Sequence, residues 1–145
     1  MVITREYHFS AAHLLPNHDG QCRRLHGHNY RLLVTIGGPV YVGDGDTEEG
    51  MVMDFVQVDN IVRPIIDELD HRFIAKGDEW PYLLGQEYAA ATPDNFVVIG
   101  ARSTVENILT WLAATIRLSL RGTDRELARI TLYETERNSA TWEIQ

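Results

Sequence analysis

From Val2 to Ala12 apolar and small residues favour alternate positions, with Ile3, Tyr7, Phe9 and Ala11 on the parity that leads to His13. This alternation predicts a strand with one face on the core, and it sends the His13 side chain to that face. Asn29 to Ile36 (NYRLLVTI) is β-branched, aromatic and aliphatic, so a second strand is expected there, with His26 and His28 just ahead of it projecting from one face. The period then changes. Asp54-x-x-Gln57 has capping-box spacing, and Phe55, Val58, Val62, Ile65, Ile66 and Leu69 recur at helical intervals, so a helix should deliver Asp70 and His71 at its C-terminal end. Pro64 lies inside that pattern and is expected to kink or divide the helix. Ser103-x-x-Glu106 opens a second helical stripe of Val105, Ile108, Leu109, Leu112, Ala113, Ile116 and Leu120, with Gly122 as its stop. Ala128–Thr135 and Ser139–Ile144 read as a terminal hairpin turning at Arg137-Asn138. Between Arg72 and Gly100 the signals are a short helix at Trp80–Glu87 and a strand at Phe96–Ile99, within a segment that is either a flap or an ordinary loop.

Strands, helix, helix, strands is the order of an α+β fold, an antiparallel sheet with helices gathered on one face. A chain of 145 residues, 44% hydrophobic, suits one domain over positions 1–145. Its 13 basic and 21 acidic residues give a formal charge of −8, which argues against a general nucleic-acid surface but leaves room for a local basic pocket at Arg23 and Arg24. A single cysteine excludes an internal disulfide framework. There is no charged leader followed by an apolar run, and no apolar stretch nears the ~18 residues of a membrane span, so a cytoplasmic protein is expected.

The chemistry concentrates at His13 and in Cys22-Arg-Arg-Leu-His26-Gly-His28. Three neutral imidazoles suit Zn²⁺ and leave a fourth position open for water or substrate. With Cys22 as the fourth ligand the same residues would make a closed structural zinc. Spacing alone leaves both readings standing.

Phe9-Ser-Ala-Ala-His13, Cys22-x-x-x-His26-Gly-His28-Asn-Tyr, Gly50-Met-Val-Met-Asp-Phe55, Leu69-Asp-His71, Ser103-Thr-Val-Glu-Asn107 and Tyr133-Glu-Thr135, in this order, resemble the 6-pyruvoyl-tetrahydropterin synthase / 6-carboxytetrahydropterin synthase family. The resemblance covers almost the whole sequence. It implies a tunnelling fold (T-fold), a four-stranded antiparallel sheet with two helices on one face, whose subunits close into barrels, usually a hexamer of two trimers with sites between subunits. It makes His13, His26 and His28 zinc ligands, Cys22 the catalytic base, Asp70 and His71 the pair that assists it, and Glu134 the residue that anchors a pterin and shares in proton relay. A thiol of ordinary pKa, about 8.5, needs such help near neutral pH. A carboxylate can accept two parallel hydrogen bonds from the amino-pyrimidinone edge of a pterin. Thr104 and Glu106 are further candidates for pterin contact, although capping supplies a structural reason for each.

Three residues between the cysteine and His-Gly-His resemble the carboxy-forming type, which converts 7,8-dihydroneopterin triphosphate to 6-carboxytetrahydropterin with release of triphosphate and acetaldehyde, on the way to queuosine and other deazapurines. Five resemble the pyruvoyl-forming type. A third group with glutamate near the cysteine forms a hydroxymethylpterin, and no glutamate stands in this loop. Arg24 matches an arginine of carboxy-forming relatives and is a candidate for the triphosphate. The chain departs from the family at Arg72-Phe-Ile-Ala75, in the length of the stretch through Asn95, and at Ser103, where relatives carry proline. A diverged pterin-binding protein without turnover is the remaining reading.

Overall fold

The computed structural model describes residues 1–77 and 85–144. Its centre is a long antiparallel pair, β1 (Val2–His13) with β2 (His26–Gly37), in register from Val2↔Gly37 to His13↔His26. The period-2 reading of β1 holds: Tyr7, Phe9, Ala11 and His13 are buried while Glu6 and His8 between them are exposed. β2 does the same with Tyr30, Leu32, Val34 and Ile36.

Helix α1 (Phe55–Asp67) buries Val58, Val62, Ile65 and Ile66. Asp54 caps it by accepting from the Val56 N–H, but Gln57 bonds to Glu48 rather than closing the capping box. Pro64 does not divide the helix. Asp59 on α1 ties it to β1, accepting from the Arg5 guanidinium at 3.2 and 3.1 Å and from the Tyr7 hydroxyl at 2.9 Å.

Strand β3 (Arg72–Lys76) follows, then a short helix α2 (Gln86–Ala91) and strand β4 (Phe96–Ile99). The strand expected at Phe96–Ile99 is present. Of the helix expected at Trp80–Glu87, positions 80–84 lie outside the described residues, and the helix that is seen begins at Gln86. Helix α3 (Val105–Ser119) buries Ile108, Leu109, Leu112, Ala113 and Ile116. Its cap is Thr104, whose hydroxyl accepts from the Asn107 N–H, not Ser103 as the spacing suggested. Ser103 is buried and gives its hydroxyl to the Leu14 carbonyl instead. The terminal hairpin is β5 (Glu126–Tyr133) and β6 (Ser139–Glu143).

The sheet order is β4-β3-β1-β2-β5-β6. The expected four-stranded antiparallel sheet is its β1-β2-β5-β6 part, and the expectation is corrected by two further strands. β3 joins β1 in parallel at Ala11↔Arg72 and Ala12↔Phe73, and β4 joins β3 in parallel. One apolar core lies between the sheet and α1 and α3, where Leu32, Ile108, Ile130 and Leu132 are fully buried. Each such side group stabilises the fold by about 1.5–3 kcal/mol. The added strands carry a second, small cluster of Phe73, Ala75 and Phe96.

Candidate metal centre and its surroundings

Cross-strand register builds the centre. His13 lies directly opposite His26, and Ala11, one step back on the same face, lies opposite His28. All three imidazoles therefore meet on the helix-covered face at the open end of the β1-β2 pair. Gly27 between the two β2 histidines is required by closeness, since a Cβ there would stand 3.0 Å from the Ala11 carbonyl oxygen.

Two of the rings are aimed from behind. His13 Nδ1 donates to the Ser103 carbonyl at 2.6 Å and His26 Nδ1 to the Arg24 carbonyl at 2.7 Å. A carbonyl only accepts, so Nδ1 carries the proton in both rings and Nε2 presents a lone pair. The two Nε2 atoms are 3.1 Å apart. Neither can donate to the other, so this contact is a convergence of lone pairs that a cation would resolve. A tetrahedral site with metal–nitrogen bonds of about 2.0 Å has ligands about 3.3 Å apart.

His28 Nε2 is buried with no hydrogen-bond partner among the described residues. One ligand atom from each of His13, His26 and His28 falls within 4.8 Å of the others, and the three could hold a metal ion. Burial, reinforced by the neighbouring imidazoles, pulls His13 and His28 below the ordinary histidine pKa and favours the neutral, ligating form. Glu134 brings Oε1 to 3.6 Å from the Nε2 atoms of both His13 and His28. Tyr30, stacked on Phe9 and fully buried beside His13 and His28, has a hydroxyl without a partner among the described residues.

Asp70 and His71 form a second unit. His71 has φ of 58°, a left-handed conformation that costs a non-glycine residue about 1–2 kcal/mol. The strain is offset by a clamp on Ser10: its N–H donates to Asp70 Oδ1 at 2.8 Å, and its carbonyl accepts from the His71 N–H at 2.6 Å. His71 Nδ1 lies 3.0 Å from Asp70 Oδ1, with the imidazole 82% exposed. The Ser10 hydrogen bond, helped by His71, holds the Asp70 carboxyl below the usual carboxylate range against partial desolvation.

Cys22 is half-buried in a single 3₁₀ turn, Gln21–Arg23. Among the described residues its thiol makes no hydrogen bond, so one subunit alone does not join it to the Asp70–His71 pair. Arg24 is exposed and serves His26 through its carbonyl. Thr104 caps α3 and Glu106 is exposed in its first turn. A cavity of about 810 Å³ touches His28 at one side and His71 at the other, with Arg72, Phe73, Asn95 and Phe96 in its wall. Sequence reasoning missed Ser10 and Ser103. Both act through backbone groups, which no pattern of residue types reveals.

The architecture is that of the T-fold, as in 6-pyruvoyl tetrahydropterin synthase of Caenorhabditis elegans, which superposes with a TM-score of 0.68 at 24% identity over 100% of this chain and 96% of that one. Residues 2–145 match the family described as 6-pyruvoyl tetrahydropterin synthase, and the chain belongs to it. It is similar to 6-carboxy-5,6,7,8-tetrahydropterin synthase of Haemophilus influenzae, 45% identical over 73 residues, which is 50% of this chain and 50% of that protein's length. The enzyme of the same name from Rickettsia felis is 31% identical over 134 residues, covering 91% and 92% of the two proteins. A dihydroneopterin monophosphate aldolase of Pyrococcus furiosus is 30% identical over 126 residues, covering 87% and 82%.

Proposed function

We propose that the protein is a zinc-dependent 6-carboxy-5,6,7,8-tetrahydropterin synthase. It would convert 7,8-dihydroneopterin triphosphate to 6-carboxytetrahydropterin with release of triphosphate and acetaldehyde, in the cytoplasm, for queuosine or related deazapurine biosynthesis. The observation that carries the reading is the convergence of three imidazoles, two of them held with Nε2 lone pairs inward, beside an ionisable Glu134. His13, His26 and His28 fit the metal by donor type, by tautomer and by the unpartnered His28 Nε2. When bound, zinc supplies Lewis-acid stabilisation of the negative charge that forms when a proton leaves a carbon of the substrate's hydroxylated arm.

The protein's own residues supply the rest. Cys22 takes the proton as base. Asp70, fixed by the Ser10 N–H, orients His71 through Nδ1 and leaves Nε2 free to exchange a proton with the thiol. Glu134 accepts from the amino-pyrimidinone edge of the pterin and holds the hydroxylated arm over the metal centre. The exposure of His71 and the isolation of Cys22 support a site completed by a second subunit, in the homo-hexamer that the family resemblance implies. No helix among the described residues is long and apolar enough to cross a membrane.

Names of relatives and the three-residue Cys22-to-His26 gap favour the carboxy-forming reaction over the pyruvoyl-forming one. The aldolase relative from Pyrococcus furiosus keeps a second reading in play, cleavage of a phosphorylated dihydropterin to a hydroxymethyl product. Mass spectrometry of the products from zinc-loaded protein and dihydroneopterin triphosphate decides. Carboxytetrahydropterin with acetaldehyde is expected; a pyruvoyl or hydroxymethyl product moves the assignment, and intact substrate leaves a binding protein.

A further inference from the structure

Glu134 places a carboxylate against lone pairs. It follows Tyr133, the last residue of β5, which pairs with Arg31 on the face away from the helices. Alternation therefore turns Glu134 to the helix-covered face, with Leu132 and the three imidazoles. Its backbone is fixed there, the N–H donating to the Asn138 carbonyl at 3.0 Å across the hairpin turn. The side chain is 20% exposed, and Oε1 lies 3.6 Å from Nε2 of His13 and 3.6 Å from Nε2 of His28. Neither contact is a hydrogen bond at that length. His13 in any case carries its proton on Nδ1, committed to the Ser103 carbonyl. A largely buried anion thus faces ring nitrogens that do not donate to it, an arrangement that costs free energy unless a cation stands between them.

The spacing is that of metal ligands. The Nε2 atoms of His13 and His26 are 3.1 Å apart and Glu134 Oε1 is 3.6 Å from two of the rings, on either side of the about 3.3 Å edge of a tetrahedral zinc site. The group within 4.8 Å is the three imidazoles, which Glu134 approaches from the His13 and His28 side. With its backbone held, its rotatable side chain is the part that can close on an ion. From this position Glu134 does not anchor a pterin. When the hydroxylated arm is at the metal, the amino-pyrimidinone edge lies a whole fused ring system away, beyond a carboxylate packed against the imidazoles. Both tasks require two positions of one side chain.

We propose that Glu134 is a fourth, exchangeable ligand of the metal centre. In the ligand-free subunit its carboxylate closes the coordination that the three imidazoles leave open, and an incoming pterin draws it away to the amino-pyrimidinone edge. The first part stands on the geometry within one subunit; the second rests on the pterin-synthase reading above. Glu134 thereby couples recognition of the ring to access to the metal. A molecule that offers a hydroxylated arm without that edge gives the carboxylate no reason to leave.

The test uses the full-length protein loaded with Co²⁺, whose visible absorption reports the donors around it, together with zinc affinity measured against a chromophoric chelator. Glu134→Gln should change the ligand-free cobalt spectrum and weaken zinc by about tenfold to a hundredfold, the scale of losses around a metal site. Glu134→Asp, which keeps the charge on a shorter arm, should recover part of that affinity. Metal-free Glu134→Gln should resist urea at least as well as the metal-free wild type, since it no longer sets an anion against the ring nitrogens. A merely structural role predicts the reverse, a variant weakened without metal and unchanged in zinc affinity, and that result overturns the assignment. So does a ligand-free spectrum that Glu134→Gln leaves unaltered. Unphosphorylated dihydroneopterin, its binding counted by equilibrium dialysis, should shift the wild-type spectrum. Binding without a shift overturns the exchange, whereas no binding at all overturns the pterin reading and leaves Glu134 as a ligand.

Discussion

The two halves of the site are built to different degrees of completion. The imidazole half is finished within one subunit: His13 is 1% exposed, its ring and that of His26 are locked by backbone carbonyls, and the ligand atoms already converge. The half proposed to move protons is positioned but not joined, with His71 open to solvent and Cys22 making no hydrogen bond among the described residues. Ligands that already converge in the folded subunit bind a metal without further ordering of the chain, since metal binding otherwise has to drive that ordering itself. Acid–base groups need only meet when substrate is enclosed, so they can be divided between subunits. On the function proposed above, metal binding is a property of the subunit and turnover a property of the assembly.

Breaking the finished half should have the largest effect. His28→Ala removes one of three ligands and should lower zinc affinity by at least about a hundredfold, since even changes to the groups behind metal ligands cost 10–100-fold. Competition against a chromophoric chelator measures it. Near-wild-type affinity would show that the three imidazoles are not the ligand set.

Much of this half is legible in the sequence. Alternation in β1 and β2 puts His13, His26 and His28 on one face, because period-2 geometry fixes which way a residue leaves a strand. The four antiparallel strands and the two longer helices are readable from their periods of 2 and 3.6. β3 is not: Arg72–Lys76 lacks alternation because it faces apolar groups on both sides, and is held by parallel pairing to β1 that no local signal announces. At the start of α3 the spacing misplaces the cap by one residue, since serine is the better cap in isolation and the burial of Ser103 behind His13 overrides that preference in favour of Thr104. The geometry of Asp70 and His71 is hidden as well. A left-handed histidine is unfavourable locally and persists only because the distant Ser10 peptide bonds to both residues.

The unjoined half sharpens the comparison through complementation. Cys22→Ala should lose turnover by about 10²–10⁴-fold, the usual contribution of a positioned acid–base group, while keeping zinc. Loss of zinc would instead restore the closed Cys-His₃ reading. If Cys22 and His71 meet across a subunit boundary, Cys22→Ala and His71→Ala proteins, each inactive alone, should regain activity when dissociated and reassembled together. Random mixing of equal amounts restores about a quarter of the sites. No recovery in mixed oligomers, verified as mixed by mass, would place both residues of a working site in one subunit.

The smallest effect concerns the clamp that holds the unjoined half in place. Asp70 titrates below the usual carboxylate range in the folded protein because the Ser10 N–H, and then His71, favour its charged form over the desolvation that opposes it. A depressed folded-state pKa contributes stability that is fully present above the unfolded value, about 3.9, and is lost as pH falls through the folded value. The wild type should therefore lose stability below about pH 4, partly through Asp70 and partly through Asp46 and Asp59, whose carboxyls are also depressed. Asp70→Asn keeps an acceptor for Ser10 but cannot titrate, so it should be the less stable protein at neutral pH and should approach the wild type as the medium is acidified. Urea midpoints measured across this range test the point. Curves that converge at low pH assign the shift to the Ser10–Asp70 clamp, and curves that stay parallel mean that the carboxylate charge contributes nothing to holding His71 in its left-handed turn.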